Sequence, residues 1–254
     1  MTSNPDDDDI DVVPQKSEQK VAGRTWMGRL VLLLICGAIG TILLIPAIQG
    51  IRRAAIREQD KRNLEQIGIA IHNYHLVYQQ LPPGGFVRED GTEMLNWQAC
   101  LLPYLDQTSL YNQIKPQSGW DSSENRAVFS QPIACFMNPA IPVQPGPAVS
   151  HYAGNSHLFG INMSMGFRNV TDGMTNTIAV GDVSIGFKRW GDPTNVRDPG
   201  LGLGNTPQQF GSPFSGGCHF LLLDGSVRFV PDTLSPAIFQ KLATPDSDST
   251  ISGW

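Results

Sequence analysis

An uncharged run near the N-terminus limits the folds open to this chain more than any other feature. The run, LVLLLICGAIGTILLIPAIQ, extends from Leu30 to Gln49. At the rise of an α-helix, about 20 apolar residues cross a bilayer core of roughly 30 Å. A soluble domain rarely makes so long a helix apolar on every side. The sequence therefore predicts a transmembrane helix over residues 30–50.

This run differs from the segments that are removed during secretion. It contains no small-residue cleavage site of the Ala-x-Ala kind and passes directly into Arg52 and Arg53. Cys36 follows the large Ile35, whereas a lipoprotein signal places a small residue before its cysteine. We therefore expect the run to stay uncleaved and Cys36 to be a membrane-buried small hydrophobe.

The charged residues that flank the run do not determine its orientation in the membrane. Basic residues stand on both sides: Lys16, Lys20, Arg24 and Arg29 before it, and Arg52, Arg53, Arg57, Lys61 and Arg62 after it.

Residues 1–29 begin with the acidic run Asp6 to Asp9 and show no apolar periodicity, which predicts a disordered tail. The net charge of -5 argues against a nucleic-acid partner.

A second helical segment follows the uncharged run. Apolar side chains recur at spacings of three and four residues at Leu64, Ile67, Ile71, Tyr74 and Tyr78. No helix-breaking residue stands between Gly50 and this face, and the sequence Pro-Pro-Gly-Gly at 82–85 ends it. We predict an amphipathic helix over residues 51–80 that continues from the membrane helix and packs on a sheet.

The remainder of the chain, with plentiful glycine (26) and proline (19), predicts a loop-rich β domain over residues 81–245 and a tail over 246–254. Short helical pieces are expected at 97–111 and 122–129, and strands at 133–137, 177–183, 218–223 and 226–230. Residues 190–210 are expected to lack regular structure. Asp224-Gly225 predicts a two-residue type I′ hairpin, and Ser235-Pro236 predicts the start of a short helix.

Three stretches together resemble the planctomycete-type, pilin-like family DUF1559. They are LLIPAIQGIRRAAIREQDKRNLEQIGIAIHNYHLVYQQLPPG, NVTDGMTNTIAVGDV and GGCHFLLLDGSVRFV. The resemblance runs with gaps from Leu44 to about Ala243 and implies an α+β, pilin-like fold, with a long N-terminal transmembrane and amphipathic helix packed on an antiparallel β-rich domain. The matching signature residues are Asp172, Gly173, Asn176, Thr177, Gly216, Gly217, Asp224, Gly225 and Ser226.

The chain departs from that family in two places. Members normally open with a prepilin signal of the Gly-Phe-Thr-Leu-Val-Glu type, whereas GRTWMGRL stands at residues 23–30. The family's usual histidine, ten positions before the hairpin aspartate, is Phe214 here, and an expected asparagine is His219. These departures favour a member that keeps the fold without joining a filament.

Each residue that could take part in catalysis or metal binding also has a simpler structural interpretation. His72 and His75 lie one helical turn apart, but no third metal ligand stands near them in sequence. His151 and His157 lie in a Gly/Asn-rich loop, where loop hydrogen bonding is the plainer interpretation. Five aspartates in Gly/Asn-rich segments predict Asx turns, with a structural calcium site as the alternative: Asp172, Asp182, Asp192, Asp198 and Asp224.

Three further cysteines lie beyond the uncharged run, and the sequence leaves their state open. A bridge between Cys100 and Cys135 and buried free thiols, including Cys218, are both compatible with it. No nucleophile elbow, phosphate loop or nucleotide fingerprint occurs. We therefore predict no catalytic, cofactor-binding or metal-binding residues, and no enzyme.

The sequence favours a membrane-anchored, pilin- or pseudopilin-like protein of the cell envelope. We expect it in the inner membrane with its C-terminal domain outside the cytoplasm. Its expected partners are the lipid bilayer and other pilin-like subunits or secretion-apparatus proteins. The alternative is an anchored solute- or glycan-binding module, in which exposed Trp120 and Trp190 would shape a sugar cleft.

Overall fold

The computed structural model describes residues 18–143, 145–163 and 165–247, and leaves out the side chains of residues 18–25 and 38–44. The chain divides into two compact units, Met1–Arg53 and Ala54–Trp254. The elements of the second unit, called the β-rich unit below, form an α+β fold, as the sequence predicts.

One helix, α1, runs over Glu18–Tyr78 and includes Pro46 without a break in its assignment. It therefore includes residues 18–29, which corrects the tail predicted for 1–29; residues 1–17 lie outside the described residues. Residue types with high helix propensity, such as Glu18 and Lys20, allow a helix over residues 18–29 even though the sequence there has no apolar periodicity. Gln79, with φ of 57°, follows the last helical residue in the left-handed conformation typical of a helix end.

Within the described residues, no helix is both long and apolar enough to cross a membrane, and the transmembrane helix predicted for residues 30–50 is not confirmed.

The remaining helices are short, and all four lie where the sequence predicts helical pieces. They are α2 (Trp97–Leu101), α3 (Thr108–Tyr111), α4 (Arg126–Phe129) and α5 (Pro236–Ala243), the last beginning after Ser235. The strand predicted at 133–137 is wrong, because Ala134–Phe136 forms a 3₁₀ turn. Short apolar runs such as IACFM do not distinguish a strand from a buried turn by pattern alone.

Nine strands form three sheets in the described part of the chain. Their bounds are β1 Gly85–Val87, β2 Glu93–Asn96, β3 Val149–Ser150, β4 Tyr152–Asn155, β5 Ile178–Asp182, β6 Lys188–Arg189, β7 Val196–Arg197, β8 Gly217–Leu222 and β9 Val227–Pro231. β1 pairs with β2 and β3 with β6, while the main sheet has the order β7-β4-β5-β8-β9. Its pairs are antiparallel except β4 with β7, which is parallel. β7 lies inside residues 190–210, so that segment contains more regular structure than predicted.

The second half of α1 covers one face of the main sheet. Leu64, Ile67 and Ile71 are at most 1% exposed and share a core with Val180 of β5 and Leu221 of β8, while Tyr74 packs beside it. This confirms the predicted packing face. Gly68 permits the close approach, because a Cβ at that position would lie 2.8 Å from Cδ1 of Leu221.

The opposite face of the sheet is covered by α5 and by a loop. Phe220 and Leu222 of β8 and Val230 of β9 pack there with Phe210 and with Phe239 of α5. β8 is therefore buried on both faces, in agreement with its continuous apolar character.

The hairpin of β8 and β9 lies where the sequence predicts it, but its turn is one residue longer. Among the turn residues, all of which the structure describes, only Gly225 has a positive φ, of 90°. Its amide donates to the Leu222 carbonyl oxygen at 3.0 Å, and the Leu222 amide donates to the Ser226 carbonyl oxygen at 2.8 Å. The predicted two-residue type I′ turn is therefore wrong; the loop has three residues and ends in a left-handed glycine.

The longer turn shifts the strand register by one residue. Leu221 pairs with Val227 and His219 with Phe229, whereas a two-residue turn would pair Leu222 with Val227. A shift of one residue moves every side chain to the other face of the strand. The prediction that Phe220 and Leu222 share a buried face with Val227 and Phe229 is therefore wrong. This register places His219 on the face that α1 covers.

We expect Gly225→Val to destabilise the domain by about 1 to 3 kcal/mol, because a β-branched residue is strained at positive φ. Asp224→Asn should change the free energy of unfolding little, since the Asp224 Oδ1 atom accepts hydrogen bonds from the Ser226 amide and hydroxyl, as an amide oxygen also can. Thermal melts with and without calcium provide the measurement. A calcium-dependent stabilisation lost only in Asp224→Asn would contradict this assignment.

Candidate functional site: a buried aspartate and histidine cluster

Three polar side chains from three separate elements meet between α1 and the main sheet. Asp60 of α1 lies one turn before Leu64 on the buried face of the helix. Asp182 ends β5, and His219 lies in β8. Because Gly181 pairs with Phe220, the antiparallel register places Asp182 beside His219. Helix and sheet packing thus fixes all three positions.

The three side chains are in direct contact and shielded from solvent. Asp60 and Asp182 are 0% exposed and His219 is 4% exposed. The His219 Nδ1 atom lies 2.6 Å from the Asp60 Oδ2 atom and 4.0 Å from the Asp182 Oδ2 atom. The His219 backbone amide also donates to Asp182 Oδ2 at 3.3 Å. Asp60 and His219 therefore connect α1 to the centre of the sheet.

A second layer of polar groups orients the two carboxylates. The Tyr152 hydroxyl donates to Asp60 Oδ1 at 2.7 Å, and Asn63 donates to the Tyr152 hydroxyl oxygen at 3.2 Å. The Ser212 hydroxyl donates to Asp182 Oδ2 at 3.0 Å, and the Asn138 amide donates to Asp182 Oδ1 at 3.4 Å. Each carboxylate is therefore held from two sides.

Burial dominates the electrostatics of the cluster. Burial, and next the charge of the neighbouring Asp60, raise the pKa of the Asp182 carboxyl well above its ordinary value. Burial likewise raises the pKa of the Tyr152 hydroxyl, which stays protonated and donates to Asp60. Two carboxylates in one dry site are not both ionised without a compensating proton or cation.

Aromatic rings and one arginine close the solvent side of the cluster. The Phe214 and Phe229 rings lie edge-on to the His219 ring, with centroids 5.8 and 5.0 Å away. The Arg57 guanidinium stacks over both rings, at 5.2 Å from the first centroid and 4.5 Å from the second. A cation on an aromatic face contributes about 0.5 to 1 kcal/mol at an exposed site.

The cluster has the donor set of a metal site. Among the described residues, Asp60, Asp182 and His219 are the one group of three His, Cys, Asp or Glu side chains whose donor atoms all lie within 4.8 Å of one another. Chemically, such a group either shares a proton between its carboxylates or binds a cation. It contains one nitrogen and two oxygen donors.

The structure places the histidines His72 and His75 elsewhere, in packing roles. The His72 Nε2 atom lies 2.9 Å from the Leu223 carbonyl oxygen at the hairpin. The His75 Nε2 atom accepts the Phe167 amide at 3.3 Å, and the two rings stack at 3.8 Å. Burial lowers the pKa of His75, which favours the neutral acceptor.

The five candidate aspartates do not converge on one site. Asp172, Asp192, Asp198 and Asp224 each accept a backbone amide in a turn or loop, from Ser247, Thr194, Gly200 and Ser226 respectively. Asp198 also pairs with His157 at 3.0 Å. Asp182 differs, because it is buried at the end of the strand that the sequence predicts over 177–183 and does not form the Asx turn considered for it.

The three cysteines of the β-rich unit are free and buried. The Cys100 to Cys135 bridge that the sequence left open is not formed. Burial raises the pKa of each thiol, of Cys100 and Cys135 to about 12 and of Cys218 well above its ordinary value. A thiol that stays protonated is a poor nucleophile and a poor metal ligand.

The predicted exposure of two tryptophans is wrong. Trp190 is 0% and Trp120 is 7% exposed, and both pack around Phe129, at ring-centroid distances of 4.6 and 6.1 Å. The Trp190 indole donates to the Gln131 carbonyl oxygen at 2.9 Å. Neighbouring Gly and Pro residues suggested an exposed loop, but a large aromatic side chain gains more from burial.

Two of the signature stretches meet in space. The Leu223 amide donates to the Thr177 carbonyl oxygen at 2.9 Å, and the Asp224 amide donates to the Met174 carbonyl oxygen at 3.2 Å. Gly173 and Gly216 have φ of 91° and 88°, which favours glycine. These stretches therefore build the end of the sheet.

Sequence reasoning missed the cluster for a reason specific to each residue. Asp60 stands among Arg57, Glu58, Lys61 and Arg62, a pattern typical of a solvated helix face. Its spacing of four and seven residues from Leu64 and Ile67 is the signal that could have placed it on the buried face. No local pattern brings Asp60 together with residues more than 100 positions later.

His151 lies near the cluster and provides a prediction about pH. Its Nδ1 atom accepts the Asn138 amide at 3.0 Å, and burial lowers its pKa from the ordinary 6.5. The unfolded chain therefore binds a proton at this residue at a higher pH than the folded chain does, so acidification through and below about pH 6.5 destabilises the fold.

We expect His151→Gln, which retains an acceptor, to show a smaller fall in melting temperature than the wild type between pH 7.5 and pH 5.5. The matched control is Gln113→Asn, a change between neutral amides at an exposed position, which should keep the wild-type pH dependence. An unchanged pH dependence in His151→Gln would contradict the assignment.

A family model described as a protein of unknown function, DUF1559, matches residues 49–203. No curated protein and no solved structure matches the chain.

Proposed function

The chain belongs to the DUF1559 family, and from that premise we propose that it is a membrane-anchored, pilin- or pseudopilin-like protein of the cell envelope with a structural or interaction role. Its anchor is the uncharged run of residues 30–49, and its β-rich unit faces the outside of the inner membrane. In this role it acts on no substrate and binds no nucleic acid. Its partners are the bilayer and neighbouring envelope proteins.

The exposed apolar side chains of the uncharged run carry the proposal. Leu30 to Ile35 are six consecutive apolar residues, each between 42% and 72% exposed, and Ile45 and Ile48 are 54% and 61% exposed. Consecutive positions of a helix point in all directions around its axis. Such a surface is stable when lipid or partner helices cover it.

Alkaline carbonate extraction of cell membranes tests the anchor. We expect the full chain to stay with the membrane, and a variant with Leu34→Arg and Ile45→Arg to be released, since a charge inside the apolar run costs up to about 2.5 to 3.5 kcal/mol, the value at the centre of a membrane helix. The matched control carries Gln19→Arg and Thr25→Arg outside the run and should stay with the membrane. Release of the wild-type chain would contradict the proposal.

Protease treatment of spheroplasts tests the orientation. A C-terminal epitope tag should be cleaved by external protease in intact spheroplasts if the β-rich unit lies outside. Protection of the tag until the cells are lysed would place that unit in the cytoplasm and contradict the assigned orientation.

We also expect the mature protein to retain residues 30–49, because GRTWMGRL at 23–30 differs from a prepilin peptidase site and no small-residue site follows. Intact mass measurement of the membrane-extracted protein provides the check. A mature N-terminus between Gly23 and Leu30 would show prepilin-type processing and would support entry into a pilus or secretion filament, whereas one between Val31 and Gln49 would show that the run is cleaved and would contradict the prediction.

The solute- or glycan-binding alternative depended on exposed tryptophans. Since Trp120 and Trp190 are part of the core, no observation favours it over an interaction role, and we do not propose it as a second function.

A further inference from the structure

We propose that Asp60, Asp182 and His219 bind one divalent transition-metal ion, of the class represented by zinc, and that this ion fastens α1 to β5 and β8. The proposal is independent of the membrane anchor. It concerns a site within the β-rich unit, where the sequence offered Asp182 only as an alternative calcium ligand and did not indicate Asp60 or His219.

The distances are close to those of a coordinated ion. Zinc binds imidazole nitrogen and carboxylate oxygen at about 2.0 to 2.2 Å, so neighbouring donors of a tetrahedral site stand roughly 3.4 Å apart. The distance from His219 Nδ1 to Asp60 Oδ2 is 2.6 Å and that to Asp182 Oδ2 is 4.0 Å. These distances lie on either side of the tetrahedral value, and each donor needs to move by less than about 1 Å.

The charge balance of the cluster favours a cation. Two carboxylates are fully buried, and in the described part of the chain His219 is the one basic side chain that pairs with either of them. Arg57 lies on the outer side of the Phe214 and Phe229 rings. A divalent ion would balance the charge of both carboxylates, and an imidazole nitrogen is a common ligand of such ions.

The surrounding groups match the support that metal ligands receive. Tyr152 donates to Asp60, and Ser212 donates to Asp182, which fixes the orientation of both carboxylates. Hydrogen-bond donors of this kind orient the carboxylate ligands of metal sites. The ligands themselves are on a helix and two strands, so the site is held by rigid elements.

The donor set indicates which ions bind. One imidazole and two carboxylates suit Zn²⁺, Mn²⁺ or Fe²⁺, whereas Ca²⁺ and Mg²⁺ prefer oxygen ligands alone. The Cys218 thiol stands next to His219 in sequence, but it faces the Asp182 carbonyl oxygen at 3.8 Å. The site therefore has no thiolate ligand.

The test uses the full chain in detergent, purified without chelator and measured for metal by mass spectrometry. We expect about one equivalent of zinc or a similar metal. Addition of ZnCl₂ to the EDTA-treated protein should raise its melting temperature by several degrees, while CaCl₂ and MgCl₂ should not. Asp182→Asn and His219→Gln should lose both the bound metal and the shift, and the matched control His157→Gln should retain both.

If the variants do not fold, a spectroscopic measurement on the wild type still tests whether the cluster binds a metal ion. Co²⁺ bound by one nitrogen and two or three oxygens in a tetrahedral site should give visible absorption bands that excess Zn²⁺ abolishes. Failure of the wild type to bind Zn²⁺ or Co²⁺ would show that the cluster is held by shared protons alone and would overturn the proposal. Equal metal-induced shifts in wild type and folded His219→Gln would also overturn it.

Discussion

Ile71→Asp should destabilise the β-rich unit by about 4 kcal/mol or more, the largest effect we expect from a single substitution. Ile71 is 1% exposed and belongs to the core between α1 and the main sheet. The substitution removes a large apolar side chain and places an unpaired carboxylate in a site without solvent. Urea unfolding of the full chain in detergent, followed by the fluorescence of buried Trp97, Trp120 and Trp190, gives the free energy of unfolding.

The matched control is Ile69→Asp, two residues earlier on the same helix. Ile69 is 61% exposed, so the same change in side chain and charge should cost less than about 1 kcal/mol. Equal losses at the two positions would mean that the effect comes from helix propensity or charge. The packing face assigned to α1 would then be wrong.

The helix face could be predicted because its signal is local. Leu64, Ile67 and Ile71 repeat at the helical period, and burial of that face against a sheet follows from the amphipathic pattern. The location of the hairpin was predicted for the same reason, since Asp224-Gly225 separates two apolar runs. Periodicity and turn chemistry are contained within short windows of sequence.

The register of that hairpin could not be predicted. Asp-Gly fits a two-residue type I′ turn and also a three-residue turn in which glycine alone is left-handed. In this turn, the amides of Leu223 and Asp224 donate hydrogen bonds to the carbonyl oxygens of Thr177 and Met174, which lie some 50 residues earlier in the sequence. The dipeptide alone is compatible with both turns, and the three-residue turn found in the folded chain is accompanied by these tertiary contacts.

The candidate site could not be predicted from local sequence patterns, for a related reason. Asp182 was grouped with the turn aspartates of the Gly/Asn-rich segments, and His219 lies in an apolar run. Their contact depends on the pairing of β5 with β8, and their contact with Asp60 depends on the docking of α1. Polar residues that are buried through long-range pairing give no periodic signal of their own.

The second large effect is expected at Asp60, where alanine should destabilise the fold by about 3 to 5 kcal/mol. Asp60 is 0% exposed and its Oδ2 atom lies 2.6 Å from His219 Nδ1. Removal of the carboxylate leaves the imidazole without this partner, and the Tyr152 hydroxyl loses an acceptor at 2.7 Å. A buried polar group without a partner bears its full desolvation cost.

Glu58→Ala is the matched control for Asp60→Ala, because it removes the same charge from the same helix. Glu58 pairs with Arg62 at 3.5 Å, and both side chains are more than half exposed. A pair of this kind contributes about 0 to 1 kcal/mol. In urea unfolding, Asp60→Ala should therefore lose several-fold more stability than Glu58→Ala. Similar losses in both variants would show that Asp60 acts through the helix alone, and that the contact between α1 and His219 contributes nothing to the fold.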